Sequence, residues 1–198
     1  MIWARYLIVD VCDFNFICLL LSVIEDPILL LTINKFILTA FQPSVGKVLT
    51  TIPWLSTEWS MKFNMKLLES IPLPINDWYG VYQFCVDDHD DSRVPAMVIS
   101  GARGQVEFDN NNPWNAYKYR YDNFFMETDR LYHIELHQRY ISGGNYLYRV
   151  NIDGEEKFSK VVDDARHYFN VKVYFSTKLM SFSSAPVEIS NLEHTNFL

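Results

Sequence analysis

Disulfide chemistry is scarce in this chain: its three cysteines are Cys12, Cys18 and Cys85, and only Cys85 lies among the strand-like segments, so no disulfide framework staples that region. A chain with a sufficient core needs no staple, so the shortage leaves secretion open. None of the asparagines sits in an N-x-[ST] sequon, which removes N-linked glycosylation. Positive charge is also short. Lysine and arginine number 17 against 24 aspartates and glutamates, for a formal charge of -7. No basic field is present to attract a phosphate backbone, and nucleic acid is excluded as the expected partner.

No charge-free apolar run reaches the length of about 20 residues that a bilayer span requires. The longest candidate, "FNFICLLLSVI" at 14–24, has 11 residues. That is the size of a signal-peptide core, but Asp10 and Asp13 precede it where positive charge belongs, and only Arg5 supplies any. Residues 1–42 therefore form an apolar N-terminal segment with three readings: a degenerate secretory leader, extra strands or a helix packed onto the domain, or an interfacial anchor. Residues 43–198 read as one domain. A chain of 198 residues with 49% apolar composition can fill one substantial core.

What fills the remainder is aromatic and β-branched. Twelve tyrosines and fourteen phenylalanines concentrate in short alternating segments, which suits a pleated, half-buried surface. "EWSMKFNMKLL" places Trp59, Met61, Phe63, Met65 and Leu67 on one side, with Ser60, Lys62, Asn64 and Lys66 on the other. "WYGVYQFCV", "AMVIS", "GQVEF" and "YKYRYD" follow, each bounded by Gly, Asn, Asp or Pro. In "NYLYRVNIDGEEKFSKVV", Tyr146, Tyr148, Val150 and Ile152 share a face, and Asp153-Gly154 predicts a tight hairpin turn. "FNVKVYF" predicts Phe169, Val171, Val173 and Phe175 inward, and "VEISNL" supplies a closing strand. No long helical period appears after residue 42. The expected fold is all-β, a two-sheet antiparallel sandwich with an apolar N-terminal extension.

Two polar clusters carry candidate chemistry. His133, Glu135 and His137 project from one face of a predicted strand, while Tyr132, Ile134 and Leu136 face the core. Alternate strand residues stand about 6.5 to 7 Å apart, so a metal there needs converging side chains and a ligand from a neighbouring strand. The simpler reading is a solvated polar face. The second cluster is "DDHDD" at 87–91, where Asp87, Asp88 and Asp90 are hard oxygen donors of the kind calcium favours, although the run lacks the EF-hand pattern. Cys85, in the apolar "YQFCV", reads as a buried small hydrophobe. No G-x-S-x-G elbow, phosphate-binding glycine loop or compact carboxylate pair on one strand is present, so no catalytic residue is assigned.

The order of segments, "VGKVLTTIPWLSTEWSMKFNMKLL", "SRVPAMV", "LYHIELHQRYISGGNYLYRVNIDGEEKFSKVV", "FNVKVYFS" and "VEISNL", resembles the concanavalin A-like lectin/glucanase superfamily across residues 46–192. More narrowly it is similar to the single jelly-roll modules of secreted and cell-surface invertebrate proteins, distant relatives of laminin-G, pentraxin and galectin domains. In that group a Gly-Asp-Arg-x-Pro-Ala stretch follows the third strand; here "DSRVPA" keeps Arg93, Pro95 and Ala96, with Ser92 in place of the acid. The sugar-binding row of galectins and the acidic strand motif of the glucanases are absent. The resemblance implies a jelly roll acting as a noncatalytic, secreted or extracellular recognition module for a glycan or a protein partner. The alternative is a glycoside hydrolase on the same scaffold, for which Glu135 is the one nameable acid. Ligand recognition is expected at a loop rim, with Asp88, Arg93, Asn111, Trp114 and Tyr117 as contacts, because loops on a rigid sandwich are where binding residues gather.

Overall fold

A computed structural model describes residues 7–8, 16–21, 33–38, 40, 42, 44–68, 78–86, 93–100, 105–111, 118–176 and 183–197. Among these, every regular element is a strand. Strands β1 (Leu7–Ile8), β2 (Phe16–Leu21) and β3 (Ile33–Leu38) pair antiparallel in that order. The two sheets of the sandwich are built from β4 (Val48–Leu55), β5 (Glu58–Leu67), β6 (Trp78–Cys85), β7 (Arg93–Ser100), β8 (Gln105–Asn111), β9 (Lys118–Phe125), β10 (Leu131–Ser142), β11 (Asn145–Ile152), β12 (Glu155–Val162), β13 (Tyr168–Tyr174), β14 (Ser183–Ser184) and β15 (Val187–Phe197).

One sheet has the order β12-β11-β10-β5-β15, the other β4-β13-β6-β7-β8-β9, with the two-residue β14 added in parallel beside β6. The other pairings between strands among the described residues are antiparallel. Strand β3 lies alongside β15, at the margin of the five-stranded sheet. No helix of the described residues is long and apolar enough to cross a membrane.

Alternation dictates which face each strand buries. Trp59, Met61, Phe63, Met65 and Leu67 of β5 are all buried, as are Tyr132, Ile134 and Leu136 of β10 and Tyr148, Val150 and Ile152 of β11. Register joins them: Phe63 stands opposite Ile134 and Met61 opposite Leu136, so apolar residues pair with apolar residues inward and Lys62 pairs with Glu135 outward. Facing them, the second sheet contributes Tyr82, Phe84, Met97, Ile99, Val106, Phe108, Val171 and Val173. Phe63 meets Tyr82 edge-on at 5.6 Å and Phe175 at 6.1 Å, the offset geometry that ring quadrupoles favour. Strand β6 is buried on both faces from Tyr79 to Cys85, which is why its sequence does not alternate and why Cys85 behaves as a small apolar residue.

The turns follow their residues. Asp153 (φ 54°) and Gly154 (φ 81°) both take the left-handed conformation of a type I′ hairpin, and Gly143 (φ 58°) with Gly144 (φ 83°) makes a second one between β10 and β11. Asp153 also fastens its hairpin to β10: its Oδ1 accepts from the His133 N–H at 2.8 Å, and its own N–H donates to the His133 carbonyl.

Phe169 corrects the alternation expected of β13. It is 62% exposed, whereas Val171 and Val173 are buried as expected. The cause is Asn170, held at φ 53° opposite Pro53, which has no N–H to give to the ladder. A left-handed residue between Phe169 and Val171 breaks the period of two, and the phenyl ring turns to solvent.

His194 is the unusual member of the core. It lies on β15 opposite Met61, with its ring 6.1 Å from Phe84, and neither ring nitrogen has a hydrogen-bond partner. Burial alone pushes its pKa down to about 4. Between pH 6.5 and that value the unfolded chain binds a proton here that the folded chain refuses.

Two outcomes follow. Val171→Asp buries an unpaired carboxylate and should abolish cooperative melting, while Phe169→Asp should melt within a few degrees of the parent; equal behaviour of the two would show the register to be wrong. For His194, stability is full above pH 6.5 and falls by about 3 kcal/mol as the pH drops through that window. Urea unfolding at pH 7.5 and 4.5 checks this, because His194→Leu should flatten the pH dependence by most of that amount.

Candidate functional site

The two sheets meet at a corner made by only two residues. Strand β4 ends at Leu55 in one sheet and β5 begins at Glu58 in the other, so Ser56 and Thr57 cross between layers. The crossing is stitched on every side. Ser56 Oγ donates to the Phe197 carbonyl at 2.6 Å, the Ser56 N–H donates to Asn196 Oδ1 at 3.2 Å, and Asn196 Nδ2 donates to the Trp54 carbonyl at 2.7 Å. Gln138 reaches over from β10 and donates through Nε2 to the Thr57 carbonyl at 2.8 Å. The polar groups of a buried corner are thus satisfied, and the backbone there is held rigid.

A cleft of about 20 Å³ opens against this corner. Leu55, Trp59, Val94 and Val162 are its apolar lining residues. Ser56, Gln138, Asp164, Ala165, Arg166 and Tyr168 complete the lining, whose accessible surface is more polar than apolar. Burial raises the Tyr168 phenol above its ordinary pKa; Arg166 pulls it down and Asp164 pushes it up, so both charges act on that hydroxyl.

Next in the chain to the lining residues Leu55 and Tyr168, Trp54 and Phe169 are directly paired across β4 and β13, and the His167 ring lies 5.1 Å from Trp54 at 31°. Phe169 is the ring that Asn170 turned outward. The result is an aromatic surface at the margin of the seven-stranded sheet.

Strand register places the backbones of Arg93 and Asn111 at this same end. Arg93 opens β7 and Asn111 closes β8, and the two are direct partners; Val94, the next residue, lines the cleft. The 87–92 connection between β6 and β7 and the 112–117 connection between β8 and β9 therefore start from neighbouring points at the cleft end. Asp87, Asp88, Asp90, Trp114 and Tyr117 lie outside the described residues, and of Arg93 and Asn111 only the backbone is described. Trp54, His167, Tyr168 and Phe169 were missed by the sequence reading. Their signal was present in Asn170 and Pro53, two residues that interrupt a ladder.

The row on the opposite sheet projects outward as its spacing predicts. Lys62 Nζ lies 2.7 Å from Glu135 Oε1, His133 Nε2 lies 3.4 Å from the same oxygen, and His133 Nδ1 lies 2.8 Å from Asn64 Oδ1. The hydrogen bond from Lys62 holds the Glu135 carboxyl below its usual pKa. Burial, then the positive charges of Arg149 and Arg139, keep His137 below the usual histidine range. Across the two ladders, Glu135 faces Lys62 and Asn151 rather than a second acid. A carboxylate held ionised in this way is poorly suited to the general-acid role of a glycosidase. Among the described residues no three His, Cys, Asp or Glu side chains are grouped to hold a metal ion.

No protein-family model and no curated protein matches the chain. Solved structures do. The receptor binding domain of botulinum neurotoxin D aligns at 14% identity over 98% of this chain and 45% of that one, with a TM-score of 0.52. Endo-β-1,4-glucuronan lyase from the fungus Trichoderma reesei aligns at 10% identity over 82% and 80%, with a TM-score of 0.52. Trypanosoma rangeli sialidase aligns at 14% identity over 84% of this chain, at a TM-score of 0.53, and the chain spans 27% of its length. At such identities the likeness is one of fold alone, a two-sheet antiparallel jelly-roll sandwich.

Proposed function

We propose that this chain is a noncatalytic recognition module, secreted or displayed outside the cell, that binds a glycan or a protein partner at the cleft end of the sandwich. The observation carrying this reading is convergence: the cleft, the Trp54/Phe169 aromatic surface and the starting points of both predicted rim loops share one end. Sugars are bound by an apolar ring to stack on beside polar groups that take their hydroxyls. Trp54 and Phe169 supply the rings, and the rim residues Asp88, Arg93, Asn111, Trp114 and Tyr117 supply the polar and indole contacts. Asp87, Asp88 and Asp90 are the donors through which a calcium ion would join the site.

The same scaffold is a receptor binding domain in one similar structure and a lyase in another, so fold does not decide between recognition and catalysis. The surroundings of Glu135 favour recognition. Its carboxylate is paired with Lys62, and no described acid faces it across the strands.

A glycan array probed with the full chain, with and without chelator, tests ligand class and calcium together. Phe169→Ala and Trp114→Ala should each weaken binding about tenfold while leaving the melting temperature within a few degrees, since neither ring is assigned to the core. If both variants bind like the parent and Glu135→Ala abolishes binding, the site belongs on the sheet face instead.

A further inference from the structure

We infer that the last part of β15, Leu192–Phe197, is an acid-released strap: when His194 takes a proton this segment leaves β5 at the Asn191 bulge, and the hydrogen bonds that hold the Ser56–Thr57 corner leave with it.

Register shows how a histidine comes to lie inside. Ser190 is the partner of Asn64 and Glu193 the partner of Lys62, so β15 takes three steps where β5 takes two. The extra residue makes a β-bulge, and Asn191 within it takes φ 52°. A ladder continued without the bulge would set His194 opposite Ser60 on the outward face and Glu193 opposite Met61 on the inward one. With the bulge, Leu192, His194 and Asn196 turn inward, and all three are buried. Two ring nitrogens are thereby sealed in without a hydrogen-bond partner, at a place where leucine would pack with no such cost.

Nothing beside the ring offsets a positive charge. Met61 of β5 stands opposite it, and Phe84 of β6 lies across the core. The next ionisable group along β6 is the Tyr82 phenol, whose ring is 6.2 Å from that of Phe84. Lys62 and Glu193 are partners on the outward face, and Lys35 is the one ionisable residue in β3. Burial alone lowers the His194 pKa, so the protonated ring gains its solvation only by leaving the core.

The way out is local. Among the described residues β15 is paired with β5 on one flank, while β3 lies along it without strand pairing. Ahead of the bulge, Val187 and Ile189 are buried and paired with Leu67 and Met65, which anchors the first part of the strand. Lifting the strap uncovers Leu192, His194 and Asn196, whereas parting the sheets uncovers every inward row, so the strap is the smaller loss. Its departure removes both side-chain bonds of Asn196, to the Ser56 N–H and the Trp54 carbonyl, and the Phe197 carbonyl that accepts from Ser56 Oγ.

Hydrogen exchange of the full chain, read by mass spectrometry at pH 7.5 and 4.5 with each rate divided by its intrinsic value, checks this. With a pKa of 6.5 when exposed and about 4 when buried, the opening constant of the strap should rise about 70-fold between those conditions. At pH 4.5 residues 192–197 should exchange at least about tenfold faster than the inward rows of β10 and β11, and urea below the unfolding transition should leave strap exchange unchanged. The Ser56 amide should lose protection in step with the strap. His194→Leu should remove the pH dependence of strap exchange, and His194→Met takes its place if the leucine variant does not fold. Strap and core exchanging together with one urea dependence, equal strap protection at both pH values, or an acid response that survives these substitutions would each overturn the inference. A strap that opens while Ser56 stays protected would overturn its coupling to the corner.

Discussion

The sandwich depends on one strand. β5 is paired on both sides, with β10 and with β15, and its inward row of Trp59, Met61, Phe63, Met65 and Leu67 is the floor against which the other sheet closes. Because side chains alternate with a period of two, a slip of one residue would bring Lys62, Asn64 and Lys66 inward and expose the whole row. Burying even one of those ammonium groups unpaired would cost more than the slipped pairing recovers. The partners β10 and β15 begin at Leu131 and Val187, far beyond the end of β5 at Leu67, so the constraint is non-local: the register is set only when distant segments present matching apolar rows.

The corner at Ser56 and Thr57 transmits that constraint to the candidate site. Since β5 is fixed by its core row, the chain just before it has little freedom, and Asn196 and Gln138 hold it through hydrogen bonds from two other strands. Rigidity here has a functional meaning. A pocket whose walls are already ordered loses little conformational entropy when a ligand enters, and its specificity then follows from shape and placed polar groups. Trp59 belongs to both, being fully buried in the core and one of the residues that line the cleft.

Much of the fold was legible in the sequence because the strands with one wet face announce themselves. The rows of β5, β10 and β11, the Asp153-Gly154 turn and the outward placement of His133, Glu135 and His137 all follow from periodicity and turn chemistry. Legibility ended where local rules were overridden. β6 is covered on both faces and has no alternation to read; Asn170 reverses Phe169 through a backbone conformation that only a few residues tolerate. The cleft was illegible for a different reason. Leu55, Val94, Gln138 and Arg166 come from four separate segments, and only strand register reveals that they are neighbours.

That register also separates the two surfaces that compete for a functional role. On the outer face of the five-stranded sheet, polar groups answer one another: Lys62 holds Glu135, His133 meets Asn64, and Arg149 pairs with Glu156 at 3.2 Å. A ligand landing there must first replace those contacts, and its gain is the difference between new and old partners, which is small for exposed charges. At the cleft end the balance is reversed. Phe169 is an exposed ring whose transfer from water is itself favourable. The end of the sandwich is therefore where the fold leaves aromatic surface uncovered beside a rigid wall, whereas on the sheet face it has already matched charge with charge.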